Sequence, residues 1–118
     1  MLSYKELLLK NELEALDKFI NYLKHYLKDN LIEIKIFGSK ARGSAGDESD
    51  LDIYILAKEI DYTIIHDISG FVAELNIDFN TNISPVIFSL EEDKKNRYFR
   101  SLFIKLLDKE GITVYGKK

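Results

Sequence analysis

Asp50 and Asp52, one residue apart at the head of the apolar run Leu51, Ile53, Ile55, are the residues of this chain best placed by type and spacing to do chemistry. In an extended strand, side chains alternate between faces, so two carboxylates at i and i+2 project the same way, roughly 6–7 Å apart along the backbone. Carboxylates converging from one face suit a divalent cation, and Mg²⁺ in particular, a hard ion that prefers carboxylate and phosphate oxygens. Upstream, Ile36-Phe37-Gly38-Ser39-Lys40-Ala41-Arg42-Gly43 reads as a strand, a Gly-Ser turn and a short helix. Such a turn leaves backbone N–H groups and a hydroxyl pointing where a phosphate can sit. The two stretches together can hold a metal-bound triphosphate.

Each residue also has a plainer reading. Asp50 and Asp52 can form an acidic turn that is solvated or paired with lysine. Gly38 permits close backbone approach, and Ser39 either contacts the outer phosphates or caps the short helix, two roles that use the same orphan donors. Arg42 either reaches a phosphate or braces the acidic pair with bidentate hydrogen bonds. Gly43 is conformational, Lys40 is solvated, and Ser49 orients the turn before Asp50.

Elements must position these groups. Ser3 and Glu6 have capping-box spacing, and Leu9, Leu13, Leu16, Phe19, Ile20, Leu23 and Leu27 recur at helical intervals over about Tyr4 to Lys28. Asp29-Asn30 ends that helix. Leu31 to Phe37 then alternates Ile32, Ile34 and Ile36 with Glu33 and Lys35, a strand. Lys40 to about Ser44 starts a short helix, and Leu51 to Leu56 is a second strand whose apolar members face away from the carboxylates, so the sheet buries one side and works with the other. Asp61 can cap a helix to about Leu75. Ile83 to Phe88 is a third strand in which Pro85 indicates an edge or a bulge. Leu90 to Lys109 reads as one helix with Tyr98, Leu102 and Leu106 on its apolar side, ended by Gly111, and Ile112 to Tyr115 can add a terminal strand. The expected fold class is α+β: a small mixed sheet of three to four strands backed by helices, in a single domain spanning 1–118.

Composition narrows the function classes. The net charge is −3 with acids and bases interspersed, so direct nucleic-acid binding is not expected, because neutralising a phosphate backbone takes clustered Lys and Arg. There is no cysteine, which excludes disulfides and thiolate metal sites, and the two histidines, His25 and His66, fall in no metal spacing. No apolar run is long enough to span a membrane and no signal-peptide pattern opens the chain, so a cytoplasmic location is expected. The seven tyrosines read as core rims rather than base-stacking platforms. Leu7, Leu8 and Leu9, with Phe99 and Phe103, exceed what one buried stripe needs, a surplus that points to a protein interface or to core, and homo- or hetero-oligomers are open.

Gly38-Ser39-x-Ala41-Arg42-Gly43 followed by Ser49-Asp50-x-Asp52 resembles the signature of nucleotidyltransferases related to DNA polymerase beta, and the small size resembles their minimal nucleotidyltransferase (MNT) branch. The resemblance runs from the first long helix to the final Glu110-Gly111-Ile112-Thr113-Val114-Tyr115-Gly116. It implies the family's nucleotidyltransferase fold. It also implies Asp50 and Asp52 as catalytic Mg²⁺ ligands, and Gly38, Ser39, Arg42 and Ser49 around the nucleotide. The activity implied is transfer of a nucleoside monophosphate, AMP from ATP or from another NTP its counterpart, onto a hydroxyl. MNT relatives act beside a small helical partner, the HEPN toxin, some by adenylylating its tyrosine, so an antitoxin role is implied too. One departure stands out. Active relatives carry a third carboxylate on the following strand, where this chain has Ser84, and Asp78 is the nearest acid in sequence. Two other readings therefore stand beside the enzyme: a non-catalytic nucleotide-binding antitoxin that neutralises its partner by binding alone, and transfer onto a small molecule or a nucleic acid 3′ end.

Overall fold

In the computed structural model, residues 4–44, 46, 49–99 and 101–116 are described. Helix α1 spans Lys10–Leu27, and Tyr4–Glu6 ahead of it is only a short 3₁₀ turn. The expected helix from Tyr4 thus starts late. Its N-terminus is satisfied by Glu12, whose carboxylate accepts the Leu9 N–H at 2.9 Å; Ser3 of the expected capping box lies outside the described residues. Lys28, in the left-handed region at φ 49°, breaks the helix. Strand β1, Leu31–Phe37, follows, then the short helix α2, Gly38–Arg42, and strand β2, Leu51–Ala57. Asp61 Oδ1 accepts from Ile64 N–H at 2.8 Å and caps α3, Tyr62–Phe79. Strand β3, Ile83–Ser89, helices α4, Leu90–Tyr98, and α5, Leu102–Glu110, and strand β4, Ile112–Gly116, complete the order.

The sheet order is β3-β2-β1-β4. β1 is antiparallel to β2 and β4, whereas β2 and β3 run parallel, so the sheet is mixed and Pro85 does sit on an edge strand. This is the expected α+β class. One face carries Leu51, Ile53 and Ile55 with Ile34 and Ile36, buried against Leu16, Phe19 and Leu23 of α1 and Ile68, Val72 and Leu75 of α3. Ile32 does not join them. A register shift between Leu31 and Glu33 turns it to the other face, where it packs on a second core.

That second core corrects the expectation of a one-sided sheet. Tyr54 and Leu56, on the carboxylate side of β2, are buried with Ile104 and Leu107 of α5, and Phe37, Val86, Phe88 and Phe103 pack around them. Tyr54 is fully buried at mid-strand, not at a rim. Its hydroxyl donates to Asp93 at 2.7 Å, and Arg97 bridges Asp93 at 2.7 Å to Asp108 at 2.8 Å, which ties α4 and α5 to the strand. Burial, then the Asp93 hydrogen bond, push the Tyr54 phenol well up from its ordinary range.

The expected single helix from Leu90 is two helices because Ser101 restarts the chain, its Oγ accepting Ile104 N–H at 3.2 Å. Restarting also rotates the faces: Ile104 and Leu107 are buried, whereas Tyr98, Leu102 and Leu106 are exposed. Gly111 closes α5 in extended rather than left-handed backbone, its N–H donating to Leu107 C=O at 2.8 Å.

Lys40 is the largest single correction. Far from solvated, it is 3% exposed, with Nζ 3.0 Å from Oε2 of the equally buried Glu12 and 3.2 Å from Oε1. Removing one partner of such a pair leaves an uncompensated charge in the interior. Lys40→Met is expected to cost about 3–5 kcal/mol in urea unfolding, and adding Glu12→Gln is expected to recover part of that loss; a cost below about 1 kcal/mol would mean that the pair is not an internal anchor.

Candidate active site

The end of β1 feeds directly into α2, and the turn needs Gly38 for two independent reasons. Its φ is +77°, and a Cβ placed there would collide with the Asp52 carboxylate. The carboxylate of Asp52 therefore lies against the backbone that starts α2. Phe37 occupies the N-cap position and supplies no side-chain cap, so among the described residues the first amides of α2 keep unsatisfied donors at the edge where Asp52 sits. Ser39 is not the cap; it stands inside the first turn, half-buried, and its hydroxyl has no hydrogen-bond partner among the described residues. Gly43 ends α2 at φ +73°, its N–H donating to Lys40 C=O at 3.2 Å.

Asp52 pairs in register with Phe37 on one side and Ser84 on the other. Register partners share a face, so Ser84 is the side chain beside Asp52 on β3, and it brings no charge. Asp50 is exposed just ahead of β2. Burial first, then the like charge of Asp50, push the Asp52 carboxyl up from its ordinary value, and Arg42 opposes them. The two acids are thus near enough to feel each other, although Asp50 lies one residue outside the strand whose alternation was to align them.

The other expected residues take different roles. Arg42 hydrogen-bonds neither acid: its Nη1 meets Glu110 Oε2 at 3.0 Å in a half-exposed pair that ties α2 to α5, and it reaches Asp52 only through its field. Ser49 Oγ accepts from Gly46 N–H at 3.1 Å, and Ser49 N–H donates to Gly46 C=O at 3.1 Å, so its hydroxyl shapes the turn before Asp50. Asp78 is no substitute for a third carboxylate. It lies within α3 rather than in the connection to β3, and it lines a groove of about 650 Å³ between α1 and α3 with Lys18, Tyr22, Phe71 and Phe79, a groove that none of the expected site residues touches. Glu12 and Glu110, which hold Lys40 and Arg42, are the residues that reading the sequence missed; no local pattern marks either one.

Residues 17–117 match the family described as polymerase beta, nucleotidyltransferase. The chain belongs to that family. A candidate protein adenylyltransferase of Methanocaldococcus jannaschii is 30% identical over 105 residues, 89% of this chain and 99% of that protein. Another from the same organism is 36% identical over 78 residues, 61% of this chain and 51% of that relative, so the chain spans about half its length. Among solved structures, a chain of the complex between the tri-AMPylated Shewanella oneidensis HEPN toxin and its MNT antitoxin superposes with a TM-score of 0.56 at 19% identity, covering 91% of this chain and 73% of that one. That likeness establishes a shared fold.

For a nucleotidyltransferase, the donor set is sparse but coherent. Among the described residues no group of three or more His, Cys, Asp or Glu gathers to cage an ion. Two carboxylates beside unsatisfied amides fit Mg²⁺ instead, which keeps several waters and uses one or two carboxylates together with phosphate oxygens.

Two predictions follow from this geometry. Gly38→Ala forces a left-handed Cβ into the Asp52 carboxylate, and an expected loss of roughly 1–2 kcal/mol should be read in thermal unfolding together with loss of nucleotide binding; unchanged binding would detach Gly38 from the site. The second concerns pH. A carboxyl whose folded pKa is raised contributes fully below its unfolded pKa and loses that contribution as pH rises through the folded value. Ligand-free Asp52→Asn should therefore melt above the wild type at neutral pH, and the gap should close as pH falls into the ordinary carboxyl range. A variant that melts lower at pH 7 would contradict the assigned environment.

Proposed function

We propose that this protein is a Mg²⁺-dependent nucleotidyltransferase of the cytoplasm that moves AMP from ATP onto a hydroxyl of a protein partner, with pyrophosphate leaving. The observation that carries the reading is the seating of the Asp52 carboxylate, under the charge of Asp50, directly against the uncapped start of α2 at Gly38. The acceptor oxygen would attack the α-phosphorus as the bond to the departing pyrophosphate breaks, and the acceptor's proton passes to solvent. Asp50 and Asp52 would hold Mg²⁺, which when bound lowers the pKa of an attacking hydroxyl and offsets the charge gathering on the phosphorus. The α2 amides and the Ser39 hydroxyl would receive the outer phosphates. Lys40 would fix α2 from beneath through Glu12, and Arg42, held by Glu110, would contribute its field to the phosphates.

The relatives that are candidate protein adenylyltransferases support a protein acceptor. The fold shared with a chain of the HEPN toxin and MNT antitoxin complex, in which the toxin is tri-AMPylated, supports a HEPN-type helical partner and an antitoxin role, and a tyrosine of that partner is the acceptor that the family resemblance implies. Mixing the protein with the purified partner, Mg²⁺ and ATP labelled at the α-phosphorus should label the partner, and Asp50→Asn or Asp52→Asn should lower that labelling by roughly a hundredfold or more. Label that persists in both variants rejects these ligands.

The neutral Ser84 beside Asp52 favours a second reading, in which the pocket binds nucleotide and the protein silences its partner by occlusion alone. On that reading calorimetry still detects Mg²⁺-dependent ATP binding, no label transfers, and the Asp50→Asn and Asp52→Asn variants suppress the partner as well as the wild type does.

A further inference from the structure

Two apolar surfaces lie outside the site. At the elbow between α4 and α5, Tyr98, Phe99 and Leu102 are 80%, 76% and 72% exposed. The rings of Tyr98 and Phe99 meet edge to face at 5.0 Å at the end of α4, and Leu106, also exposed, stands one helical turn beyond Leu102 on α5. The other surface is the outer side of α3, where Tyr62, Ile65 and Ile77 are exposed.

Charge separates the two. Between Asp61 and Phe79 the charged side chains are Asp61, Asp67, Glu74 and Asp78, without a Lys or Arg among them. Two copies meeting at α3 would bring acid against acid. The elbow is mixed in sign: Glu91 pairs with Lys95, Arg97 with both Asp93 and Asp108, and in sequence Lys94, Arg100, Lys105 and Lys109 accompany Glu92 and Glu110. A face of mixed sign around an apolar centre can meet its own copy without accumulating like charge.

We propose that the α4–α5 elbow is a twofold-symmetric contact between two copies of this chain. The amount of apolar surface supports it. Two aromatic rings that each bury roughly 150–250 Å², with two leucines, supply a large share of the ~800 Å² that each partner contributes to a stable interface. Exposed apolar patches of this kind are often functional surfaces. The contact uses the outer side of the elbow and leaves the inner side chains, Ile104 and Leu107, on the second core.

Sedimentation equilibrium of the full chain across micromolar concentrations tests the proposal. The wild type should be a dimer. Leu102→Glu and Phe99→Ser should weaken it roughly 30-fold or more, as central interface side chains do, while Ile77→Glu on α3 stays dimeric; circular dichroism checks that each variant is folded. A conservative reporter gives an independent reading, because the chain has no tryptophan. Phe99→Trp emission should shift to the blue as concentration rises and Ile77→Trp emission should not. A monomeric wild type, which would return the elbow to a different partner, overturns the proposal. So does a dimer that survives the elbow variants, one that Ile77→Glu dissociates, or Trp emission at the elbow that ignores concentration.

Discussion

The Glu12 carboxylate does two jobs in the interior, and the candidate site rests on both. It accepts the Leu9 N–H that opens α1, and it neutralises Lys40, whose Nζ also reaches Gly46 C=O at 3.4 Å. Burying an ion pair is expensive, so this arrangement is held only while every donor and acceptor finds its partner. No buried side-chain polar atom is left unsatisfied among the described residues. Through Lys40, the first helix of the chain sets where the five-residue helix α2 lies. Such a short helix has little stability of its own and takes its position from its anchors.

Strand β2 is the second constraint. Leu51 to Ala57 is apolar throughout except at Asp52, and both faces of the strand are covered: α1 and α3 on one side, α5 on the other. A carboxylate at the end of such a strand is partly desolvated by its neighbours, which is why the Asp52 carboxyl is raised before the charge of Asp50 is counted. On the proposed reading, a cation would offset the cost of charging that carboxyl. Phe37, in register with Asp52, packs edge to face on Phe103 at 5.3 Å, so the second core also braces the strand end that bears the carboxylate.

On the proposed reading the site is furnished for holding a nucleotide and spare for converting one. Two carboxylates and a set of free amides answer a metal-bound triphosphate, but the neighbouring strand offers Ser84 where a further acid would help to take a proton. On that reading the acceptor would bring a hydroxyl that ionises readily or hand its proton to water. A phenol loses its proton far more easily than an aliphatic hydroxyl does.

Much of this was legible in residues alone. Pro85 marked the edge strand, Asp61 announced α3, and the glycine-serine pair signalled a short helix that begins at Gly38, two residues before the expected Lys40; each of these is a local matter of backbone geometry. Ser101 was a readable N-cap that the apolar pattern concealed, and it split one expected helix into two. Other features had no local trace. Lys40 looks like any surface lysine until Glu12, 28 residues earlier, folds over it, and Arg42 finds Glu110 across 68 residues. Which of Tyr98, Leu102, Ile104 and Leu107 would be buried depended on where α5 landed, and the bulge that turned Ile32 depended on how β1 paired. The sequence by itself determined which chemical groups are on offer and most of the element types, because side-chain identity and backbone preference act over a few residues. Tertiary packing decided ionisation, partners and exposure, because those depend on which distant surfaces exclude water.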